Sequence, residues 1–393
     1  MKVILFEDDR SDAFAPLTLT RPVGELRAGI LTIREKWLRI LGHPVFHETR
    51  PHLQELYPPA PAEGTGYRIN ARLLPTPAVV DQIRALAAGD RLLEGSTVLA
   101  EREGASAGQD HAVHAPAFLL QQLTDLFARN GEAIQGDFTW LTAGRSSQPS
   151  GPGVTIIGPV ERLFIEEGAK VLPCMLNTEA GPVYIGRHAE IMEGCMVRGP
   201  LALGEQATLR MGTRIYGPTT IGPHCRVGGE VSNSVMLGYS NKGHDGFLGN
   251  SVLGEWCNLG ADTNTSNLKN NYSEVRAWDY GRQAFVPTGL TFMGLIMGDH
   301  GKSGINTMFN TGTVAGVAAQ IFGGGFPPKF LPSFSWGGAE GLEEYRLEEA
   351  LITAHRMMSR RHVDLTDAMR RMLTEVFRIT AGERSIATLR QGC

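Results

Sequence analysis

The sequence predicts an α/β domain over residues 1–150, a left-handed parallel β-helix over 151–335 and a helical segment over 336–393. Three observations lead there. From Ile185 onward every sixth residue is aliphatic: Ile185, Ile191, Val197, Leu203, Leu209, Ile215, Ile221 and Val227. Residues before 150 lack these hexads and mix short apolar runs with helical patterns, and residues after Leu342 carry two helical apolar stripes. A period of six belongs to neither an α-helix nor an ordinary strand. It fits three short strands per triangular coil, so that residues 18 apart stack: Ile185 on Leu203 on Ile221, and Ile191 on Leu209 on Val227. Glycines after several hexad positions (Gly186, Gly204, Gly222, Gly228) suit the tight turns between such strands.

Bulk properties limit the function classes. A chain of 393 residues exceeds one ordinary core, so at least two domains are expected. With 42% hydrophobic and 20% charged residues it reads as globular, and a net charge of −4 gives no reason to expect a nucleic-acid partner. The five cysteines (Cys174, Cys195, Cys225, Cys257, Cys393) have neither CxxC nor zinc-ligand spacing and are expected to be reduced thiols. MKVILFEDD reads as a buried strand, not a leader, and no window approaches 18 apolar residues, so a cytoplasmic protein without a membrane partner is expected.

The elements follow in order. A strand is expected at Lys2–Phe6, then helices over Ile30–Leu41, near Ala78–Ala88 and over Ala117–Arg129. SSQPSGPG, Ser146–Gly153, reads as a linker. Val154 with Val160, and Ile165 with Val171, give two short hexad phases. After Val227 the phase resumes at Val235, Phe247, Leu253 and Leu259, which puts Asn241 in a core slot. NKGHDG, residues 241–246, is therefore expected to leave the wall as a loop. SNLKNNYSEVRAWDYGRQAFVPTG reads as a second excursion or an irregular coil. Ile305, Thr311 and Val317 restore the spacing, with Gly323–Gly325 closing the helix. Leu347, Ala350, Leu351, Ala354 and Met358 make one helical stripe; Leu365, Ala368, Met369, Met372, Val376 and Phe377 make another. Asp364 reads as the second helix's N-cap.

The expected loop holds the strongest chemical signal. A loop on a rigid scaffold is where working residues collect. A neutral imidazole at His244 can take a proton from an incoming amine or hydroxyl, with Asp245 or Glu230 orienting the ring. No Ser or Cys nucleophile with a paired base stands out, which favours direct transfer over a covalent intermediate. His188 and His224, 36 residues apart, are spaced to stack on one edge, which resembles the zinc pair of left-handed β-helix carbonic anhydrases, whose third His lies five residues further on. A third ligand is missing because position 229 is Gly, so turn geometry explains the pair better.

KGHDGFLGNSVLGEWCNLGADTNTSNLKNN resembles the acetyltransferase half of the bifunctional UDP-N-acetylglucosamine pyrophosphorylase/glucosamine-1-phosphate N-acetyltransferase family. Lys242, Gly243 and His244 match its K-x-G-H loop; Asn258, Leu259, Gly260 and Ala261 match its N-[IL]-G-A segment; Asn267 matches a later Asn. The resemblance implies His244 as general base, Asn258 and Asn267 as amino-sugar contacts, and Ala261 as a backbone contact near the thioester. It implies acetyl-CoA as co-substrate, a glucosamine 1-phosphate-like acceptor and a homotrimer. Lys242, or an Arg from the preceding coil, would hold the acceptor phosphate; Arg210 and Arg214 both precede the loop as the family's phosphate-binding Arg does, with the choice open. Glu230 joins the acceptor-binding set. The family's two tyrosines are replaced by Phe247 and Leu268, which points to a different acceptor.

Over its length the chain resembles a divergent sugar nucleotidyltransferase branch, through TRPVGELRAG and GDHGKSGINTMFNTG. The first strand, however, runs on with no glycine until Gly24, so the usual glycine-rich phosphate loop is absent. Arg10, Arg21, Arg27 and Lys36 remain as phosphate ligands, and Asp8, Asp9 or Asp137 as Mg²⁺ ligands if that domain is active. Two other readings stand beside this one: a sugar-nucleotide-binding protein with acyl transfer to another sugar, and a purely structural β-helix.

Overall fold

The structure, a computed structural model, describes residues 1–390, with side chains through 385. Cys393, grouped above with the reduced thiols, lies outside the described residues. The chain forms two compact units, Met1–Leu26 with Leu31–Leu123, and Arg27–Ile30 with Thr124–Cys393.

In the first unit the expected strand Lys2–Phe6 lies between Val45–Glu48 and Gly66–Asn70, parallel to both. Thr97–Arg102 then runs antiparallel, followed by Arg91–Glu94 and Asp110–Ala112. The first helix starts at Ile33, not Ile30, because Thr32 and Glu35 form a reciprocal capping box; it stops at Gly42, φ 68°. Trp37 on its buried side donates to Leu73 O at 2.9 Å. The second helix, Pro77–Ala85, lies near its expected place. The expected helix over Ala117–Arg129 does not form. Phe118–Leu119 is a short strand antiparallel to Leu73–Leu74, and the helices are Asp125–Ala128 and Asn130–Leu141 in the second unit. Phe118, Leu119 and Leu120 are all buried, and so short an apolar run carries no period that separates strand from helix.

The second unit is the expected hexapeptide β-helix. Its three parallel sheets run from Thr155–Ile157, Leu163–Ile165 and Lys170–Val171; we call them the first, second and third faces. Stacking is as the period requires: Ile185 pairs with Leu203 and Leu203 with Ile221, Ile191 with Leu209 and Leu209 with Val227. The eight hexad residues are all buried, none more than 3% exposed. Burying each such side chain contributes about 1.5–3 kcal/mol, so the column holds the coils in register.

The later phases differ from expectation. The inward residues after Val227 are Val231, Met236, Lys242, Leu248, Leu253 and Leu259. The step from Val227 to Val231 is four residues where earlier steps are six, because the turn there is only Gly228–Gly229. Asn241 consequently points outward and Lys242 inward, beside Val227, and the hexad stays in the wall as the strand Asn241–Lys242. Val160 is likewise exposed. The polar excursion folds into a hairpin, Arg276–Asp279 against Ala284–Pro287. Beyond it Phe309, Ala315 and Ile321 belong to the core, and Ser303 pairs between Leu259 and Ile321. Ile305 is 71% exposed, while Thr311 and Val317 lie in turns. Nor does the helix close at Gly323–Gly325; Phe330–Leu331 and Ser335–Gly338 still pair onto it.

Within this unit Ser146–Gly153 is docked against the first coil, with Gln148 N donating to Ile165 O and Ile165 N to Ser147 Oγ. The closing helices are Leu347–Ser359, Asp367–Ile379 and Ala381–Arg390. The second is capped by Thr366, whose hydroxyl accepts from Met369 N, and not by Asp364: Thr366 is the last extended residue before the helix, where a cap must sit.

Candidate active site at the His244 turn

Residues 243–246 carry the chain from the third face to the first. One coil earlier the same corner is crossed by Gly228–Gly229 alone. Gly229 has φ 69°, and a Cβ there would stand 2.8 Å from Asp245 Cα and 2.9 Å from Lys242 Nζ. The corner recedes at that coil, and the His244 turn closes over it.

Lys242 holds this turn from within. It is 2% exposed, and its ammonium donates to Gly228 O at 2.9 Å and to His244 O at 2.6 Å. Burial pushes its pKa down to about 8, against a smaller opposing pull from Asp245. This corrects the expectation that Lys242 holds the acceptor phosphate: its charge is spent on two carbonyls inside the wall.

His244 is exposed, and among the described residues no side chain hydrogen-bonds its ring. Neither expected carboxylate orients it here. Glu230 faces Arg214, Nε to Oε2 3.5 Å, and Asp245 joins the next coil by accepting from Asp262 N at its backbone oxygen. Arg210 is exposed beside the turn, Nη1 3.5 Å from Gly243 O. Ala261 occupies the same corner one coil on, its carbonyl accepting from Asn306 N. The structure thus gathers His244, Arg210 and Ala261 at one corner, with Lys242 behind them.

The remaining candidates lie on the flanking faces. Arg214, Glu230 and Phe247 form an outward row on the first face. Gly249 leaves the room that the Phe247 ring and the Asn267 amide fill, and Asn267 donates to Asn250 Oδ1 at 2.8 Å. Asn258 is on the third face, 3.4 Å from the Asn241 amide. Asn241 in turn accepts at 2.8 Å from Arg361, which also donates to His224 O at 3.3 Å. Arg361 was not legible as a site residue; the only signal is the Arg-Arg-His run after the first C-terminal stripe.

The cysteines do not compete as nucleophiles. Cys174, Cys195, Cys225 and Cys257 are buried, and burial lifts Cys225 and Cys257 to about 12. His188 and His224 do share a corner, both at positive φ, but the His224 ring stacks on Tyr239 at 4.5 Å, Tyr239 on Trp256 at 4.3 Å, and Trp256 faces His300 at 6.4 Å. The described residues contain no group of three or more His, Cys, Asp or Glu able to hold a metal.

Of the phosphate candidates outside the β-helix, Arg10 is exposed, whereas Arg21 and Lys36 are buried. Arg27 is corrected: it belongs to the second unit, is buried, and donates to Leu237 O and Ile30 O. Asp137 is buried there too, accepting from Ile30 N at 2.8 Å. Asp8 accepts from Arg72 and Asn70; burial alone would raise its pKa, but these two partners hold it below the usual carboxylate value. Asp9 is exposed. Clefts of about 310 and 320 Å³ lie at Pro332–Ser335 with Arg384 and at Leu93–Gly95 with His114. Neither touches the His244 turn, where His244 and Arg210 sit exposed on an open corner.

Residues 3–146 match a family model described as sugar nucleotidyl transferase. A bifunctional sugar-1-phosphate nucleotidylyltransferase/acetyltransferase of Sulfurisphaera tokodaii is 33% identical over 95 residues, 24% of this chain and 23% of that protein. The bifunctional protein GlmU of Methanocaldococcus jannaschii is 30% identical over 92 residues, 23% of this chain and 22% of that protein. The chain thus spans less than a quarter of the length of the curated relatives it matches. Among solved structures, an N-acyltransferase from Bacillus cereus in complex with dTDP and coenzyme A is 11% identical, covering 44% of this chain and 90% of that one, with TM-score 0.27. The Arabidopsis UDP-N-acetylglucosamine acyltransferase is 14% identical, covering 62% and 96%, with TM-score 0.26.

Proposed function

We propose that the β-helix is an acyl-CoA-dependent N-acyltransferase acting on an amino-sugar phosphate, joined to a sugar-1-phosphate nucleotidyltransferase-like unit. The observation that carries this is the exposed His244 imidazole on a turn fixed from inside by Lys242. The match of residues 3–146 to sugar nucleotidyl transferases and the partial likeness to two bifunctional proteins supply the substrate class.

In this reading the acceptor amine attacks the thioester carbonyl of acetyl-CoA. A C–N bond forms, the C–S bond breaks, and His244 takes the amine's proton and returns it to the departing thiolate. Arg210, exposed on the same corner, supports this reading as a guanidinium available to an anionic group of the acceptor. Phe247 in place of a family tyrosine makes the acceptor pocket less polar, so in this reading the sugar is recognised through Asn267 and the phosphate. Of the three candidate Mg²⁺ ligands, Asp8 is engaged by Arg72 and Asn70 and Asp137 by Ile30 N, which leaves Asp9 exposed.

The direct test is His244→Ala. Losing a positioned general base costs about 10²–10⁴-fold in kcat, and thermal stability should stay nearly unchanged since His244 is exposed. Activity within a few-fold of wild type would overturn the assignment. A second reading concerns residues 1–123: the burial of Arg21 and Lys36 and the engagement of Asp8 favour sugar-nucleotide binding without turnover. Pyrophosphate release from a nucleoside triphosphate and a sugar 1-phosphate decides between the two.

A further inference from the structure

We infer that Arg226, Arg360 and Arg361 form a receptor for a phosphate dianion on the third face, one short strand away from the His244 turn. The inference rests on the proposed transfer at His244 for its ligand class, though not for its geometry.

The placement follows from register and hydrogen bonds. Arg226 and Asn241 are paired neighbours across adjacent strands, and both point outward because Val227 and Lys242 point in. Arg361 reaches the same spot from beyond the helix Leu347–Ser359, donating to Asn241 Oδ1 at 2.8 Å and His224 O at 3.3 Å. Arg360 is its chain neighbour. Both acceptors of Arg361 are neutral, and among the described residues no carboxylate forms an ion pair with any of the three arginines. Burial first, then Arg226, holds the Arg361 pKa below its ordinary value, and Arg360 acts in the same direction. A half-buried guanidinium beside two other cations is unfavourable unless an anion joins them.

The chemistry that suits such a cluster is a phosphate. Each guanidinium presents planar paired donors that match two phosphate oxygens, and Arg361 keeps donors beyond the two it uses. The distance suits a substrate group. Asn241 is three residues from His244, a span of at most about 11 Å of chain. A phosphate held at Asn241 therefore lies within the reach of one substrate molecule whose reacting atom sits at His244. The source is either a sugar phosphate or the 3′-phosphate of coenzyme A.

Calorimetric titration of the full chain with glucosamine 1-phosphate, coenzyme A and 3′-dephospho-coenzyme A tests this. Arg226→Ala, Arg360→Ala and Arg361→Met should each weaken one phosphate ligand by about tenfold to a hundredfold, the scale of a lost charge-assisted contact. Loss confined to glucosamine 1-phosphate assigns the sugar phosphate. Loss for coenzyme A that is absent for the dephospho form assigns the 3′-phosphate. Arg361 also ties the helical segment to the wall, so Arg226→Ala and Arg360→Ala, which break no bond described above, decide the matter if Arg361→Met fails to fold. Unchanged affinity for all ligands in those two variants, or no binding of any of them by wild type, overturns the inference. His244→Ala is the control: it should bind as wild type does. If it also turns over as wild type does, the transfer reading falls while the affinities still judge the receptor.

Discussion

The ammonium of Lys242 lies 2.6 Å from the carbonyl oxygen of His244 and reaches it from inside the β-helix. A core slot that follows Val171, Ile191, Leu209 and Val227 in its column is given to a cation whose partners are two backbone oxygens of the corner it supports. Lys242→Met keeps the volume and removes the charge. We expect it to fold, with a melting temperature at pH 7 equal to or above wild type, and to lose about tenfold or more in kcat, since small displacements of a catalytic group are costly. Wild-type kcat in this variant would show that the turn needs no anchor.

The same lysine makes a pH prediction. Its pKa is about 8 in the folded chain and 10.5 when free. Between those values the unfolded chain holds a proton that the folded chain has released, so wild-type stability rises with pH across that window and is flat below it. Relative to Lys242→Met, the wild-type melting temperature should climb from pH 8 to pH 10. A constant difference would mean that the ammonium is not buried in solution.

Gly229→Ala should damage the same corner sterically. The added methyl group meets Asp245 Cα, Gly246 O and Lys242 Nζ at 2.8–2.9 Å, at a φ that side chains rarely adopt. We expect a loss of about 1–3 kcal/mol and a displaced His244 turn, visible as reduced melting temperature together with reduced transfer. A stable, fully active variant would refute the close contact.

In the first unit, Arg72 is 1% exposed, pairs with Asp8 and donates to Leu120 O. Arg72→Met leaves a half-buried Asp8 with only Asn70 as side-chain partner, and the loss of its cation costs about 1–3 kcal/mol. Chemical denaturation should show that loss, and a change below 1 kcal/mol would contradict it.

The outer first face carries Ile157, Met175, Met196 and Tyr216, each 40–51% exposed, on strands paired in sequence. Met175 and Met196 are paired neighbours, with Asn177 and Arg198 standing between Ile157 and Tyr216 in the next row, and we propose a homotrimer whose seam includes the two methionines. Sedimentation at micromolar concentration should give three times the chain mass, and Met196→Lys should reduce it. A wild-type monomer would remove the proposal.

What could be read in advance follows the physics of each position. The eight hexad residues announce themselves because an aliphatic column leaves a strict period. The slip after Val227 does not, because Gly228–Gly229 shortens a turn silently and Val235 is buried while lying outside the central core cluster, next to the inward Met236. Lys242 reads as a surface residue by type, and only the register places it inside. His244 was legible from its motif; Arg361 was not, since 120 residues separate it from the Asn241 it touches.

The ring column at the opposite edge of the third face has a practical consequence. Trp256 lies between Tyr239 and His300, on the coil that follows the one bearing His244. Its 4.3 Å overlap with Tyr239 can survive only while those two coils stay stacked, so the indole's emission is a built-in gauge of spacing at the proposed catalytic level. Opening of the wall there would change its fluorescence before the ends of the solenoid come apart.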